Sequence, residues 1–346
     1  MLTAAEHIII DYIKLRKECS SKEIFDQTSL SVSYATLKRN LAKLVAAGFL
    51  ESIGKGKGTK YIVSSIFEVI QPIDMDDYFL KEIDERQIKE QFIFSIITEI
   101  LPKATIFTTS ELEKLNNLQT TFKNNILQLS ANEYIKEFER LAIDLSWKSS
   151  QIEGNTYTLL ETERLLKEKE TALGKTKEEA VMLLNHKEAL DFILKNPDYF
   201  NILHISKIED IHSLLIKDLG IERNLRKRRV GISGTNYKPL DNEFQIIEAL
   251  ETTCKLINEK QNVFEKALLA LVLLSYIQPF MDGSKRTARI VSNAILINYK
   301  YCPISFRTID VVEYKKAMLL FYEQNNISSF KKLFINQYEF AVKTYF

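Results

Sequence analysis

Apolar residues recur along most of this chain three and four apart, the helical spacing, and strict alternation is rare. In the first 65 residues, Ile8, Ile9, Tyr12 and Ile13 share one face behind Thr3, and Glu6 completes a capping box. Ser21 reads as the cap of a short second helix, KEIFDQT. Ser31 or Ser33 opens a third, with Ala35, Leu37, Leu41, Leu44 and Val45 as its buried stripe and Gly48 as its end. FLESIGKGKGTKYIV then reads as two alternating strands joined by a Gly/Lys turn.

Residues 66–109 read as a connector: acidic around Pro72, continuing as amphipathic helix, then broken at LPKATIFTT by a short extended piece before Ser110 caps the next helix. From 110 to 346 helix follows helix. Glu133–Trp147 leads into the turn SSQIEG, Thr158 and Glu161 cap LLETERLLKE, and Thr176–Lys195 and Ile205–Leu219 are long periodic runs. Arg226–Pro239 is the hairpin candidate of this region. Lys266–Ile277 is apolar almost all round, as a helix buried among helices is, and Thr287–Tyr299 resumes helical spacing. Tyr314–Tyr322 and Phe330–Tyr338 are aromatic-rich helices assigned to the core. The chain therefore reads as mainly α.

Composition narrows the partners. Lys+Arg 47 against Asp+Glu 46 leaves no global field for nucleic acid or membrane, so any basic patch is local. The three cysteines, far apart, make neither a disulfide framework nor a metal quartet, and the four histidines lack ligand spacing except His204 and His212, eight apart, and read as structural or exposed. No run approaches the roughly 20 apolar residues of a membrane span, and the N-terminus lacks a signal-peptide pattern, so a cytoplasmic protein is expected.

The chemistry concentrates where a loop interrupts the apolar run, Gln278 to Arg289 (QPFMDGSKRTAR). A glycine turn entering a helix N-terminus offers backbone N–H groups and the helix dipole to an anion. Asp282 offers a hard oxygen to Mg²⁺, and Arg286 and Arg289, three apart, can fork onto outer phosphates. A plain surface turn with solvated arginines satisfies the same residues.

This stretch resembles the signature of the Fic family, HxFx[DE]GN[GK]RxxR, through Pro279, Phe280, Asp282, Gly283, Lys285, Arg286 and Arg289. Gln278 stands in place of its histidine and Ser284 in place of its asparagine. The resemblance implies an all-helical fold with a β-hairpin flap at Val230–Tyr237, where Val230, Gly231, Ile232 and Tyr237 would hold a protein target by strand addition. It implies ATP with its phosphates on Gly283, Ser284, Lys285, Arg286 and Arg289, Mg²⁺ on Asp282, and AMP transfer to a hydroxyl, with position 278 as general base. A carboxamide accepts no proton near neutrality, and losing a base slows transfer by about 10²- to 10⁴-fold. SSQIEG also matches the family's inhibitory pattern [ST]xxxE[GN] through Ser149, Glu153 and Gly154, which places an inhibitory helix around 146–154. There Glu153 would pair with Arg289 and displace the γ-phosphate.

Residues 1–65 resemble a winged helix-turn-helix domain. Ser33, Tyr34, Thr36, Lys38 and Arg39 on the third helix would enter a major groove, and Lys55, Lys57 and Lys60 on the wing would meet phosphates. Ten basic against six acidic residues make this segment locally positive, and a role in protein contact or dimerisation is the alternative. Two functions follow from the whole. One is a nucleotide-responsive DNA-binding regulator on a retired Fic domain, with the flap open to a protein target and a homodimer left open. The other is an autoinhibited protein adenylyltransferase with residual activity. An empty scaffold is the third and weakest reading.

Overall fold

The computed structural model describes residues 3–346, with the side chain of Lys57 outside the described atoms. It divides into two compact units, 1–72 and 73–346.

In the first unit α1 (Ala4–Arg16), β1 (Cys19–Ser20), α2 (Ser21–Gln27) and α3 (Tyr34–Ala46) precede β2 (Leu50–Ile53), β3 (Lys60–Val63) and α4 (Ser65–Ile70). The sheet is antiparallel with order β1-β3-β2, and β2 and β3 pair from Leu50↔Val63 to Ile53↔Lys60. Ile9, Ile13, Ile24, Leu37, Leu41 and Leu50 close its core. The expected capping box at Thr3 and Glu6 forms. The second box is built on Ser20, not Ser21, because Glu23 lies three residues beyond Ser20 and returns its carboxylate to that N–H. Ser33 caps α3. Gly48, at φ 73°, ends it in the left-handed turn that lets the Gly48 and Phe49 N–H groups reach the Val45 and Leu44 carbonyls. Ala35 lies outside the buried stripe.

The residues read as a connector are apportioned between the units: Phe67 joins the N-terminal core, and 73–109 belong to the second unit. The amphipathic helix expected up to residue 100 is replaced by a strap. It contains only short turns, α5 (Met75–Tyr78), a 3-10 turn (Ile83–Glu85), a π-helical turn (Ile96–Ile100) and α6 (Leu101–Lys103). Its polar groups find tertiary partners instead of helical ones: Lys89 N–H donates to Glu323 O, and Ile93 N–H to the Tyr276 hydroxyl. The next helix is capped by Thr108 with Glu111, so Ser110 lies inside it.

The remaining helices are α7 (Thr109–Ile126), α8 (Ala131–Ile152), α9 (Leu159–Glu168), α10 (Lys177–Lys195), α11 (Ile205–Leu215), α12 (Glu243–Glu259), α13 (Val263–Ile277), α14 (Ser284–Asn298), α15 (Val311–Gln324) and α16 (Ser328–Tyr345). Every residue of α13 is buried, as its apolar circumference requires. It packs against α14, α12 and α15, while α8, α10 and α11 flank α14. Helix α8 runs through SSQI, so that motif is its last turn rather than a turn after it. The capping box of Thr158 and Glu161 forms, and α10 spans its expected residues. Helix α11 stops at Leu215, short of Leu219. The three cysteines are buried and free. Among the described residues no helix is long and apolar enough to cross a membrane.

The hairpin expected at Val230–Tyr237 is absent from the described residues. The chain turns at Ser233–Gly234, but its limbs share no ladder, and an isolated parallel bridge joins Lys238 to Gln91 of the strap. The alternation of Val230 and Ile232 is too short to fix a register, and the strap bonds the far limb instead.

Candidate functional site

The site begins where α13 must stop. Gln278 takes the left-handed conformation, φ 50°, as the C-cap, which leaves the last carbonyls of the helix pointing past its end. Arg226, 0 % exposed, collects them: Nε donates to Gln278 O at 2.6 Å and Nη2 to Ile277 O at 3.3 Å. Its own N–H donates to Pro279 O at 3.0 Å. Of the basic run 226–229 only this residue is buried. Lys227, Arg228 and Arg229 form exposed pairs with Glu243, Glu222 and Asp241.

The loop is then fixed from beneath. The His212 ring lies flat on Phe280, centroids 3.6 Å apart, with Nε2 2.9 Å from Asp282 O and Nδ1 3.2 Å from Arg223 O. Burial pushes the His212 pKa down, against the upward pull of the two carbonyls. Gly283, at φ 84°, is the N-cap of α14, and a Cβ there would lie 3.3 Å from the imidazole. Ser284 does not present its hydroxyl to a ligand: Oγ accepts from Phe280 N–H at 3.0 Å and lies 3.2 Å from Phe280 O. Asp282 Oδ1 accepts from Gly283 N–H, and Oδ2 accepts from Arg286 Nη2 at 2.8 Å.

The two motif arginines turn inward in this structure rather than onto a shared ligand face. Arg286 is buried against Asp282, with Nε and Nη1 lacking partners. Arg289, 0 % exposed, reaches the last turn of α8. Nε donates to Ser149 Oγ at 2.7 Å, Nη2 to Ser149 O at 3.1 Å and to Glu153 Oε1 at 2.6 Å, and Nη1 to the Tyr314 hydroxyl at 3.3 Å. Burial pushes the Glu153 carboxyl upward, but the charges of Arg289 and Lys285 and the Arg289 hydrogen bond hold it below its ordinary value. Gly154, at φ 101°, ends the helix there. Two turns earlier on α8, the Trp147 indole N–H donates to Tyr157 O at 3.0 Å and the Lys148 ammonium sits 5.0 Å from its ring.

A cavity of about 510 Å³ opens beside this latch, with Gln278, Glu153, Lys285, Tyr314, Tyr322 and the stretch Gly231–Gly234 on its walls. Gln278 Nε2 donates to Ser275 O at 2.6 Å and lies 3.5 Å from the Tyr322 hydroxyl. Burial raises the Tyr322 hydroxyl far above its ordinary range, so it stays protonated. The aromatic content of their helix points Tyr314 and Tyr322 to the core. They are buried, and they also line the cavity; no spacing signal separates the two roles. Gly231 and Ile232 line this wall with Val230 next to them in sequence, whereas the Tyr237 side chain is buried in an aromatic column with Tyr276 and Tyr322, its hydroxyl donating to Tyr276 O. For a metal, the described residues hold no cluster of three ligating side chains. Asp282 alone, its side chain 61 % exposed, fits a Mg²⁺ that keeps its waters and is shared with phosphates, but not a protein-built cage.

In the N-terminal unit Ser33 caps α3, its Oγ 3.0 Å from Thr36 Oγ1. The Tyr34 hydroxyl meets Ser21 Oγ at 2.8 Å, and its ring carries the Lys38 ammonium at 5.2 Å. Lys38, Arg39 and Lys55 are exposed, Lys60 pairs with Glu18 at 2.5 Å, and the Lys57 side chain lies outside the described residues.

Residues 202–296 match the Fic/DOC family. A protein of Nematostella vectensis named protein adenylyltransferase Fic is 32% identical over 183 residues, 49% of this chain and 40% of that protein. One of the same name from Drosophila mojavensis is 29% identical over 166 residues, 46% of this chain and 32% of that protein. The chain thus spans 40% or less of the length of these two relatives. Among solved structures, Fic-1 (residues 134–508) of C. elegans shares the fold with a TM-score of 0.57 at 20% identity, over 68% of this chain and 70% of that one. A Fic family protein from Desulfovibrio desulfuricans does so at 0.59 and 17% identity, over 68% and 74%.

Proposed function

Since the chain carries a Fic/DOC domain at residues 202–296, we propose that its cavity binds ATP and that adenylyl transfer there is held off twice, by Glu153 and by Gln278. The observation that carries this reading is the 2.6 Å contact of Glu153 with Arg289. A guanidinium with all its arms on protein oxygens offers nothing to a terminal phosphate until Glu153 leaves. Phosphates would lie at the N-terminus of α14 beside Lys285, and Mg²⁺, shared between them and Asp282, would neutralise their charge. Transfer requires a target hydroxyl to lose its proton as its oxygen attacks the α-phosphate and pyrophosphate departs. Gln278 accepts no proton, and its amide is engaged with Ser275.

In the N-terminal unit, three helices with a sheet ordered β1-β3-β2 support the winged-helix reading, and exposed Lys38 and Arg39 on α3 suit duplex DNA. The protein is then a DNA-binding regulator that senses nucleotide. The second reading, an autoinhibited adenylyltransferase with residual activity, is favoured by the intact latch, which on a dead site would have nothing to restrain, and by the name of the relatives.

Transfer of labelled AMP separates the two. A Glu153→Gly, Gln278→His double variant is expected to label protein at least about 10²-fold faster than Glu153→Gly alone. Measurable labelling by the single variant at the rate of the double would establish residual transferase activity and end the argument from glutamine, and no labelling by either would refute adenylyl transfer at this site. Retention on duplex DNA that falls with salt and is lost in Lys38→Ala, Arg39→Ala tests the regulator.

A further inference from the structure

Arg86 belongs to no motif and lies far upstream of residues 202–296, yet its guanidinium joins Glu323 of α15, the helix that gives the cavity Tyr314, Met318 and Tyr322, to Gly234, which lines the cavity itself. Its side chain is 4% exposed and Glu323 opposite it is 0% exposed, the two 3.2 Å apart. Glu323 also accepts from the Tyr78 hydroxyl at 2.7 Å, and its carbonyl from Lys89 N–H at 2.8 Å. Glu323 follows Tyr322, the cavity residue whose hydroxyl faces Gln278. The second arm, Nη2, donates at 3.0 Å to the carbonyl of Gly234, which lines the cavity beside Leu319 of α15. The stretch Gly231–Gly234 has no strand partner of its own. Its neighbours Asn236 and Lys238 are held by the same strap, at Asp84 Oδ1 and Glu90 O.

We propose that Arg86 is a positioning residue for the cavity: one guanidinium, anchored on Glu323, fixes the distance between α15 and the Gly231–Gly234 wall and so the fit of the nucleotide. The inference rests on the nucleotide reading above for its ligand, but not for its geometry. Only a planar fork serves two acceptors held at fixed angles, which a lysine ammonium does not reproduce.

The test uses the full chain with Glu153→Gly, to open the latch, and calorimetric titration with ATP and Mg²⁺. Arg86→Lys keeps the buried charge pair and forfeits the second arm. The double variant Arg86→Met, Glu323→Met removes the pair without leaving a buried charge, an exchange that stability generally tolerates. Both are expected to melt near their parent and to bind ATP about tenfold more weakly, the loss of one charge-assisted hydrogen bond. Folded variants that bind like the parent overturn the proposal. A second readout does not depend on the ligand: spin labels at Ser233→Cys and Lys315→Cys, one on the Gly231–Gly234 stretch and one on α15, report a distance distribution that broadens when Arg86 is replaced. If the parent binds no ATP, the nucleotide reading falls, and the spin-label distances alone decide Arg86. An unchanged distribution then refutes its role.

Discussion

Two stretches without regular structure face the same cavity, and they are held in opposite ways. The motif loop, 278–284, is fastened from within: Arg226 takes the carbonyls at its start, His212 lies against its middle, and Ser284 closes it onto Phe280. The stretch 230–236 is fastened from without, at single points, by a strap that makes almost no regular structure, before Tyr237 enters the aromatic column. Each turns on a glycine with positive φ, 84° at Gly283 and 89° at Gly234. The side that would carry chemistry is therefore rigid before any ligand arrives, and the side that would admit a partner has few contacts and opens locally at small cost.

Four substitutions break or sharpen this contrast. Arg226→Met strips the donor from three carbonyls (those of Ile277, Gln278 and Arg228) and is expected to destabilise by about 3 kcal/mol in urea unfolding. A loss below about 1 kcal/mol would mean that the loop is not fastened from within. Gly283→Ala combines left-handed strain with an approach to a ring already pressed on Phe280, so about 2 kcal/mol is expected by the same measurement.

Glu153→Gln weakens the contact to Arg289 by about 1.5 kcal/mol at neutral pH. Because the folded-state pKa of Glu153 lies below its ordinary 4.5, the stability it adds is fully present above that value and is lost as pH falls through the lowered one. Unfolding midpoints of wild type and variant, compared across pH, should converge on the acid side. A gap that persists there would show that the carboxylate charge is not what holds Arg289. Gly234→Ala meets the same strain but only the flexible end of Leu319, 3.2 Å away, and about 1 kcal/mol is expected. If it proves as damaging as Gly283→Ala, the two stretches are equally rigid and the contrast fails.

What could be read from the chain follows the same division. The loop was legible because Gly283 and its charged neighbours interrupt an apolar run that fits only a buried helix, and Ser149, Glu153 and Arg289 meet as their motifs imply. Arg226 is indistinguishable in sequence from Lys227, Arg228 and Arg229, since nothing local marks a basic residue that will cap carbonyls 51 and 52 positions away. The strap misread as a helix for a related reason: Tyr78, Arg86 and Lys89 have helical neighbours in sequence, but their partners lie on Glu323. The Val230–Tyr237 hairpin failed because its alternation is brief and Tyr237 is taken by the aromatic column. Tyr314 and Tyr322 were placed correctly in the core, and their second role depends on which neighbours the fold supplies.

The chain has one tryptophan, Trp147, and it sits on the helix whose last turn grips Arg289. Its indole is bonded to one carbonyl and overlaid by one cation, so its emission colour depends on that helix keeping its seat. The protein thus contains its own optical gauge: excitation at the red edge, where tyrosine is dark, reads any displacement of that helix in real time without an added dye.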